Sequence, residues 1–254
     1  MKIANWQATD SQFIQNLSEA DLLKCWDQLH AADLAAKPKG KLLKSWLLFH
    51  NGYYADAAIA AKDLGTEGIP VLIRSVVAYT DYIGEDEDQS VELLEQAYLL
   101  GEEYCNDSSN NQFTTALAMG RYSQSISITK ALAKGLGGKV KHLLSEVLKS
   151  EPNHAEAHLA MAMYHAEIID KVGAALGGLT YGAKAKTAYQ HIDQALELVP
   201  NAINLIEAGN AILLLQGDKG MDQATAYYER AAEVEALDAL QAMDVDFAQS
   251  QLED

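Results

Sequence analysis

Residues 183–236 read AKAKTAYQHIDQALELVPNAINLIEAGNAILLLQGDKGMDQATAYYERAAEVEA, and the spacing within this stretch decides the fold. Ala188-x3-Ile192-x2-Ala195-x4-Pro200 recurs as Ala224-x3-Tyr228-x2-Ala231-x4-Ala236. Residues three and four apart share one face of a helix. Small residues on that face let a neighbouring helix approach closely, and the larger ones fill the space beside it. Pro200 ends one helix and Asn201 starts the next.

The frame extends outward from this stretch. It returns more loosely as Val140-x3-Leu144-x2-Val147-x4-Pro152, with echoes at Ala57-x3-Ala61-x2-Leu64 and Ser90-x3-Leu94-x2-Ala97. The helices between carry the complementary half. His158-x2-Met161-Ala162-x2-His165 matches Ile206-x2-Gly209-Asn210-x2-Leu213. Internal repetition at this period marks a stack of helix pairs.

On these residues the chain resembles the tetratricopeptide-repeat (TPR) family, as a divergent bacterial member with a long Gly-rich insert in its fourth unit. The resemblance covers about residues 40–236. It implies an all-α fold in which antiparallel helix pairs stack into a right-handed α-α solenoid. The implied organisation is an N-terminal helical cap at 1–38, about five helix pairs at 39–236, and a capping helix with an acidic tail at 237–254. His158 and His165 stand at the family's tryptophan-like and tyrosine positions, which the resemblance places in the core.

Composition agrees with helix. Ala, Leu, Glu, Gln and Lys dominate and Pro occurs four times, so few positions oppose a helical backbone. At least two-thirds helix and no sheet are expected. Ser18 followed by Asp21 reads as a helix start. Asn51-Gly52, Gly65 and residues 84–88 read as breaks. A helix from Phe113 to Lys134 has a candidate interruption near Gly120. Two glycine-rich stretches, 135–138 and 173–182, read as loops. The second is expected to fold back on the concave side and bury Leu176, Leu179 and Tyr181, because exposed together they form a sizeable apolar patch.

The formal charge of −17 opposes nucleic acid and anionic lipid. No stretch has the apolar length of a membrane span, and the N-terminus lacks the apolar run of an export signal. A cytoplasmic protein is expected, or a periplasmic one if the chain is trimmed. Cys25 and Cys105 share no motif spacing and read as reduced packing thiols. His154, His158 and His165 lie near one stripe. Two histidines four apart can hold a metal, but the core placement implied by the resemblance argues against it. No catalytic motif, metal site or cofactor site is expected.

Charge is unevenly distributed. Residues 81–107 hold ten acids and no Lys or Arg, whereas 108–145 hold no acid and carry Arg121, Lys130, Lys134, Lys139 and Lys141. Residues 172–192 also lack acids. Lys134 and Lys139 flank Gly135–Gly138, where backbone N–H groups favour an anion or small ligand. The competing reading pairs these lysines with acids of the 81–107 helix.

The resemblance implies a non-enzymatic binding or scaffold protein with a protein or peptide partner. Its inward-facing residues would be Glu156, Leu159, Met163 and Glu167, then Asn204, Glu207, Ala211 and Leu214. These are apolar and acidic, so a basic and apolar partner fits. The alternative is a small-ligand-binding component of the transport-associated type, its pocket closed by the 173–182 insert and Tyr181.

Overall fold

Capping at the sequence level fixes many of the helix boundaries. In this computed structural model the structure describes residues 1, 3, 5–104 and 108–253; Cys105, one of the two expected packing thiols, lies outside the described residues. Ser18 and Asp21 form a reciprocal capping box, Ser18 Oγ accepting from Asp21 N–H at 3.2 Å and Asp21 Oδ2 from Ser18 N–H at 3.1 Å. Each bond satisfies a backbone donor that has no partner inside the helix. The side chains of Asp86, Ser127, His154 and Asn201 cap later helices by accepting a first-turn backbone N–H.

The helices are α1 (Glu19–Leu29), α2 (Gly40–His50), α3 (Tyr54–Lys62), α4 (Ile69–Tyr82), α5 (Glu87–Glu103), α6 (Ser109–Gln124) and α7 (Ile128–Ala133). They continue as α8 (Leu136–Ser150), α9 (Ala155–Val172), α10 (Ala174–Tyr181), α11 (Ala185–Leu198), α12 (Ala202–Gln216), α13 (Met221–Ala232) and α14 (Ala239–Glu253). Helix amounts to 76%, above the two-thirds expected, and no strand occurs among the described residues.

Two compact units result. One comprises Met1–His30, Leu34–Val147 and Leu237–Leu240; the other comprises Ala31–Asp33, Leu148–Ala236 and Gln241–Asp254. Within the first, α2 packs on α3, α3 on α4, α4 on α5 and α5 on α6, with α2 also meeting α4 and α4 meeting α6. Within the second, α9 packs on α11 and α12, α11 on α12, and α12 on α13. Each first helix therefore meets its own partner and the first helix of the next pair, which is the contact pattern of stacked helix hairpins.

The repeat residues make these contacts. Ala188, Ile192, Ala195, Ala224 and Ala231 are fully buried and Tyr228 is 8% exposed. Gly209 permits the approach of α12 to α13, since a Cβ there would lie 3.0 Å from Tyr228. Gly101 has the same role between α5 and α6, where a Cβ would lie 2.5 Å from Thr115 Oγ1.

Three expectations change. The break after α6 falls at Ser125–Ser127 rather than at Gly120, because Ser127 accepts from Lys130 N–H at 3.3 Å and starts α7. The 135–138 stretch is a single turn at Gly135, where φ is +65°, followed directly by the first turn of α8. The 173–182 stretch is a helix. Gly173 (φ +82°) and Gly182 (φ +66°) bracket α10 with backbone angles that side-chain-bearing residues resist.

α10 packs on α9 through Gly177, where a Cβ would lie 3.0 Å from Ile168. Tyr164 Oη donates to the Tyr181 carbonyl at 3.0 Å. Leu176 and Leu179 are not buried as expected: they are 53% and 87% exposed. Glycine forms the contact with α9, so the two leucines are turned away from it.

Candidate docking face on α9 and α12

Most faces of α9 and α12 are covered. Leu159, Ala162, Ala166, Ala208, Ala211 and Ile212 form one core with Ile192 and Ala195 of α11. Ala202, Leu205 and Ile206 form a second with Tyr228, Ala231 and Ala248. Apart from His158 and the last turn of each helix, the half-covered positions fall on one stripe per helix. On α9 it comprises Glu156, Ala160, Met163 and Glu167; on α12 it comprises Ile203, Glu207, Asn210 and Leu214. Both run i, i+4, i+7, i+11, so each is a single helix face, and the two helices pack together.

The site residues expected from sequence divide accordingly. Glu156, Met163, Glu167, Glu207 and Leu214 lie on the stripes. Leu159, Asn204 and Ala211 do not. Leu159 is 3% exposed and Ala211 is fully buried, both in the core shared with α11. Asn204 is 2% exposed and spends its side-chain N–H on the Val199 carbonyl at 2.8 Å. Ala160, Ile203 and Asn210 complete the stripes without being expected there. The signal for them is the i, i+4, i+7 frame counted from Glu156 and from Ile203.

The stripes carry acid and apolar groups with fixed neighbours. Glu167 pairs with Lys171 one turn on at 2.6 Å. Asn210 Oδ1 accepts from Tyr228 Oη at 2.7 Å. Burial, and then the Glu207 carboxylate, push the Tyr228 phenol up to about 12, so Tyr228 remains a donor. Met163 and Leu214 lean on the α9–α11 core while part of each stays open.

Beside this face lies a histidine cluster. His158 Nε2–H donates to the Pro152 carbonyl at 2.9 Å, so its Nδ1 accepts from His191 Nδ1–H at 2.7 Å. His165 Nδ1 accepts from Lys184 N–H at 3.4 Å. Burial, with His158 and His165 nearby, lowers His191 to about 4, so its ring is neutral at neutral pH. Among the described residues no group of three or more His, Cys, Asp or Glu is arranged to hold a metal ion.

In the other unit, Lys134 and Lys139 do not converge on free backbone groups at Gly135–Gly138. Lys134 Nζ bonds Glu95 at 2.8 Å and Lys139 Nζ bonds Glu102 at 2.7 Å. Tyr122 Oη also donates to Glu95, at 2.8 Å. Lys134 first, and then Tyr122, hold the Glu95 carboxyl below its usual range. Acids of α5 thus take the lysines that the anion reading required.

A second titratable group has no signature in the sequence. His50 Nδ1–H donates to Asp238 Oδ2 at 2.6 Å, and His50 Nε2 meets His30 Nε2 at 3.1 Å. His30 stacks on Trp26 with ring centroids 3.9 Å apart, and Trp46 stacks on His50. All three polar groups are 5% exposed or less. Their geometry is that of a buried polar brace, with no open side for a substrate.

No helix among the described residues is long and apolar enough to cross a membrane. No family model and no curated protein sequence matches the chain. A solved structure does: a thermophilic TPR protein of Thermus thermophilus, similar with a TM-score of 0.56 and 17% identity over 83% of this chain and 97% of that one. At that identity the likeness speaks for architecture alone, and with the helix-to-helix contacts above it makes the fold of this chain a TPR-like α-helical repeat.

Proposed function

We propose that the chain is a non-enzymatic binding protein whose α9–α12 stripes hold an apolar and basic segment of a protein partner. The observation that carries this reading is the pair of matching half-covered stripes, Glu156/Ala160/Met163/Glu167 and Ile203/Glu207/Asn210/Leu214, which run at one spacing along two helices packed on each other and on shared cores. Their carboxylates set the sign of the partner, and Met163 and Leu214 supply apolar area. Side chains fixed by the cores beneath them lose little freedom on binding, which favours affinity.

The test is affinity capture from the native cell by wild type and by a Glu167→Lys/Glu207→Lys variant. A partner retained by the first and lost by the second, with both melting alike, supports the reading. Equal capture by both proteins overturns it.

A further inference from the structure

The stripes on α9 and α12 call for an apolar segment with positive charge at its ends, and α10 of this same chain has that chemistry. Its outward face is Ala175, Leu176, Leu179 and Thr180, all exposed, with Leu179 87% open to water. No charged residue occurs from Val172 to Ala183. Lys171, before this stretch, is held by Glu167 of its own chain. Lys184 and Lys186 follow the stretch and are exposed, and no acid occurs between Asp170 and Asp193. In a chain of net charge −17, this is a local reversal of sign around two bare leucines.

The leucines are presented on a fixed element. Gly177 seats α10 on Ile168, and Tyr164 holds the Tyr181 carbonyl. A helix anchored in this way offers a preformed knob rather than a loop that must be ordered on binding.

We propose that α10 of one copy docks on the α9–α12 stripes of a second copy, Leu176 and Leu179 against Met163 and Leu214, with Lys184 and Lys186 toward the Glu156 and Glu207 ends of the stripes. This rests on the reading of the stripes as a docking face. Charge complementarity selects the occupant. An anionic bilayer is a continuous negative plane that opposes the acidic remainder of the chain, whereas the stripes place carboxylates only where the lysines fall. Two copies of net charge −17 still repel at long range, which keeps the contact weak. One helix of eight residues covers far less than the roughly 1,200–2,000 Å² of a stable interface. The association is therefore weak, dependent on concentration, and displaced by a partner that binds the stripes more tightly.

The experiment is sedimentation equilibrium of the full chain from low to high micromolar concentration, with melting curves for every variant. Wild type is expected to rise above the one-chain mass as concentration increases. Leu176→Asp/Leu179→Asp and Glu167→Lys/Glu207→Lys should each weaken association about tenfold or more. An equal mixture of the two variants should recover association, because the intact α10 of one meets the intact stripes of the other. If the charge-reversed protein fails to melt cooperatively, Glu207→Gln replaces it.

A one-chain mass at every concentration overturns the proposal. So does association indifferent to both variants, failure of the mixture to recover, or capture of the chain by phosphatidylglycerol vesicles through Leu179. A labelled helical Lys–Leu peptide separates the two levels. If it binds the stripes of a strictly monomeric protein, self-docking fails and the docking face stands. If it does not bind, the docking face fails too.

Discussion

Both units bury alanines where helices meet, but only one adds a cluster of large rings. In the unit containing α2 to α6, large rings and titratable groups fill irregular space: Trp26, His30, Trp46, Phe49, His50 and Tyr54 contact one another in a mixture of stacked and edge-on pairs. In the unit containing α9 to α13, alanines recur at helix contacts, and Ala162, Ala166, Ala195, Ala208 and Ala211 share one cluster. Small residues at fixed spacing allow one geometry to be repeated. Large rings must each be accommodated singly, and a buried polar group among them needs its own partner. The first interior should therefore be sensitive to loss of a partner, and the second to gain of volume.

Removal of Asp238 tests the first half of that contrast and carries the largest expected effect. Asp238→Ala leaves His50, 2% exposed, without the carboxylate that now accepts its Nδ1–H. Leaving a buried donor without its acceptor costs about 1–3 kcal/mol, and more where the lost bond was to a charged group. Urea unfolding followed through tryptophan fluorescence measures it. A loss below about 1 kcal/mol would show that water or a neighbour takes over the bond, and that the rings alone hold the unit.

Ala195→Leu tests the second half. Ala195 is fully buried among Leu159, Ile192 and Ala208, and the added atoms must push α9 or α12 aside. Overpacking of this kind costs about 1–3 kcal/mol. An unchanged denaturation midpoint would mean that the alanine stack is loose, and the contrast between the two interiors would disappear.

These differences also govern what can be read from sequence. The pairs α9/α11 and α12/α13 are legible because Ala188, Ala195, Ala224, Ala231 and Pro200 repeat at fixed intervals. The brace of His30, His50 and Asp238 is not, since 188 residues separate His50 from its carboxylate and no periodicity marks either. In α10, glycine suggests a loop where the structure has a helix. Its glycines at either end do break the chain, but Gly177 lies within the helix as the contact point on Ile168. The half-covered stripes are legible only in part. α9 and α12 are apolar on several faces, so hydrophobic pattern does not single out one, and Leu159 and Asn204, expected on the open face, belong to the interior.

The histidine cluster offers a smaller effect with a definite sign. His191 is lowered to about 4 in the folded chain against about 6.5 when unfolded. Between these values the unfolded chain binds the extra proton. Stability is thus complete above about pH 6.5 and falls as pH drops toward 4. The ring is only partly covered, and water screening reduces the total to about 1 kcal/mol. His191→Asn should flatten the stability profile between pH 6.5 and 4 relative to wild type. Parallel profiles would place the acid sensitivity elsewhere.

The smallest expected effects are those of Lys134 and Lys139, and they distinguish a bound lysine from one that only solvates the surface. Lys139 makes an exposed pair with Glu102, and such pairs contribute about 0–1 kcal/mol. Lys139→Gln should fall at the low end. Lys134 has the same kind of pair with Glu95, but its ammonium also lies 5.6 Å from the centre of the Tyr122 ring, and Tyr122 shares the Glu95 carboxylate. Three groups that fix one another lose less freedom than two flexible side chains, so Lys134→Gln should cost more than Lys139→Gln. A double-mutant cycle with Glu95→Gln isolates the coupling, since each single change alone alters solvation as well as the pair. Coupling that shrinks as salt is added identifies an ion pair, because exposed charges are screened over about 8–10 Å at moderate ionic strength. Coupling that persists at high salt points to the Tyr122 hydrogen bond and ring contact. Zero coupling, together with binding of an acidic probe that both lysine variants lose, would return these residues to a ligand-binding role.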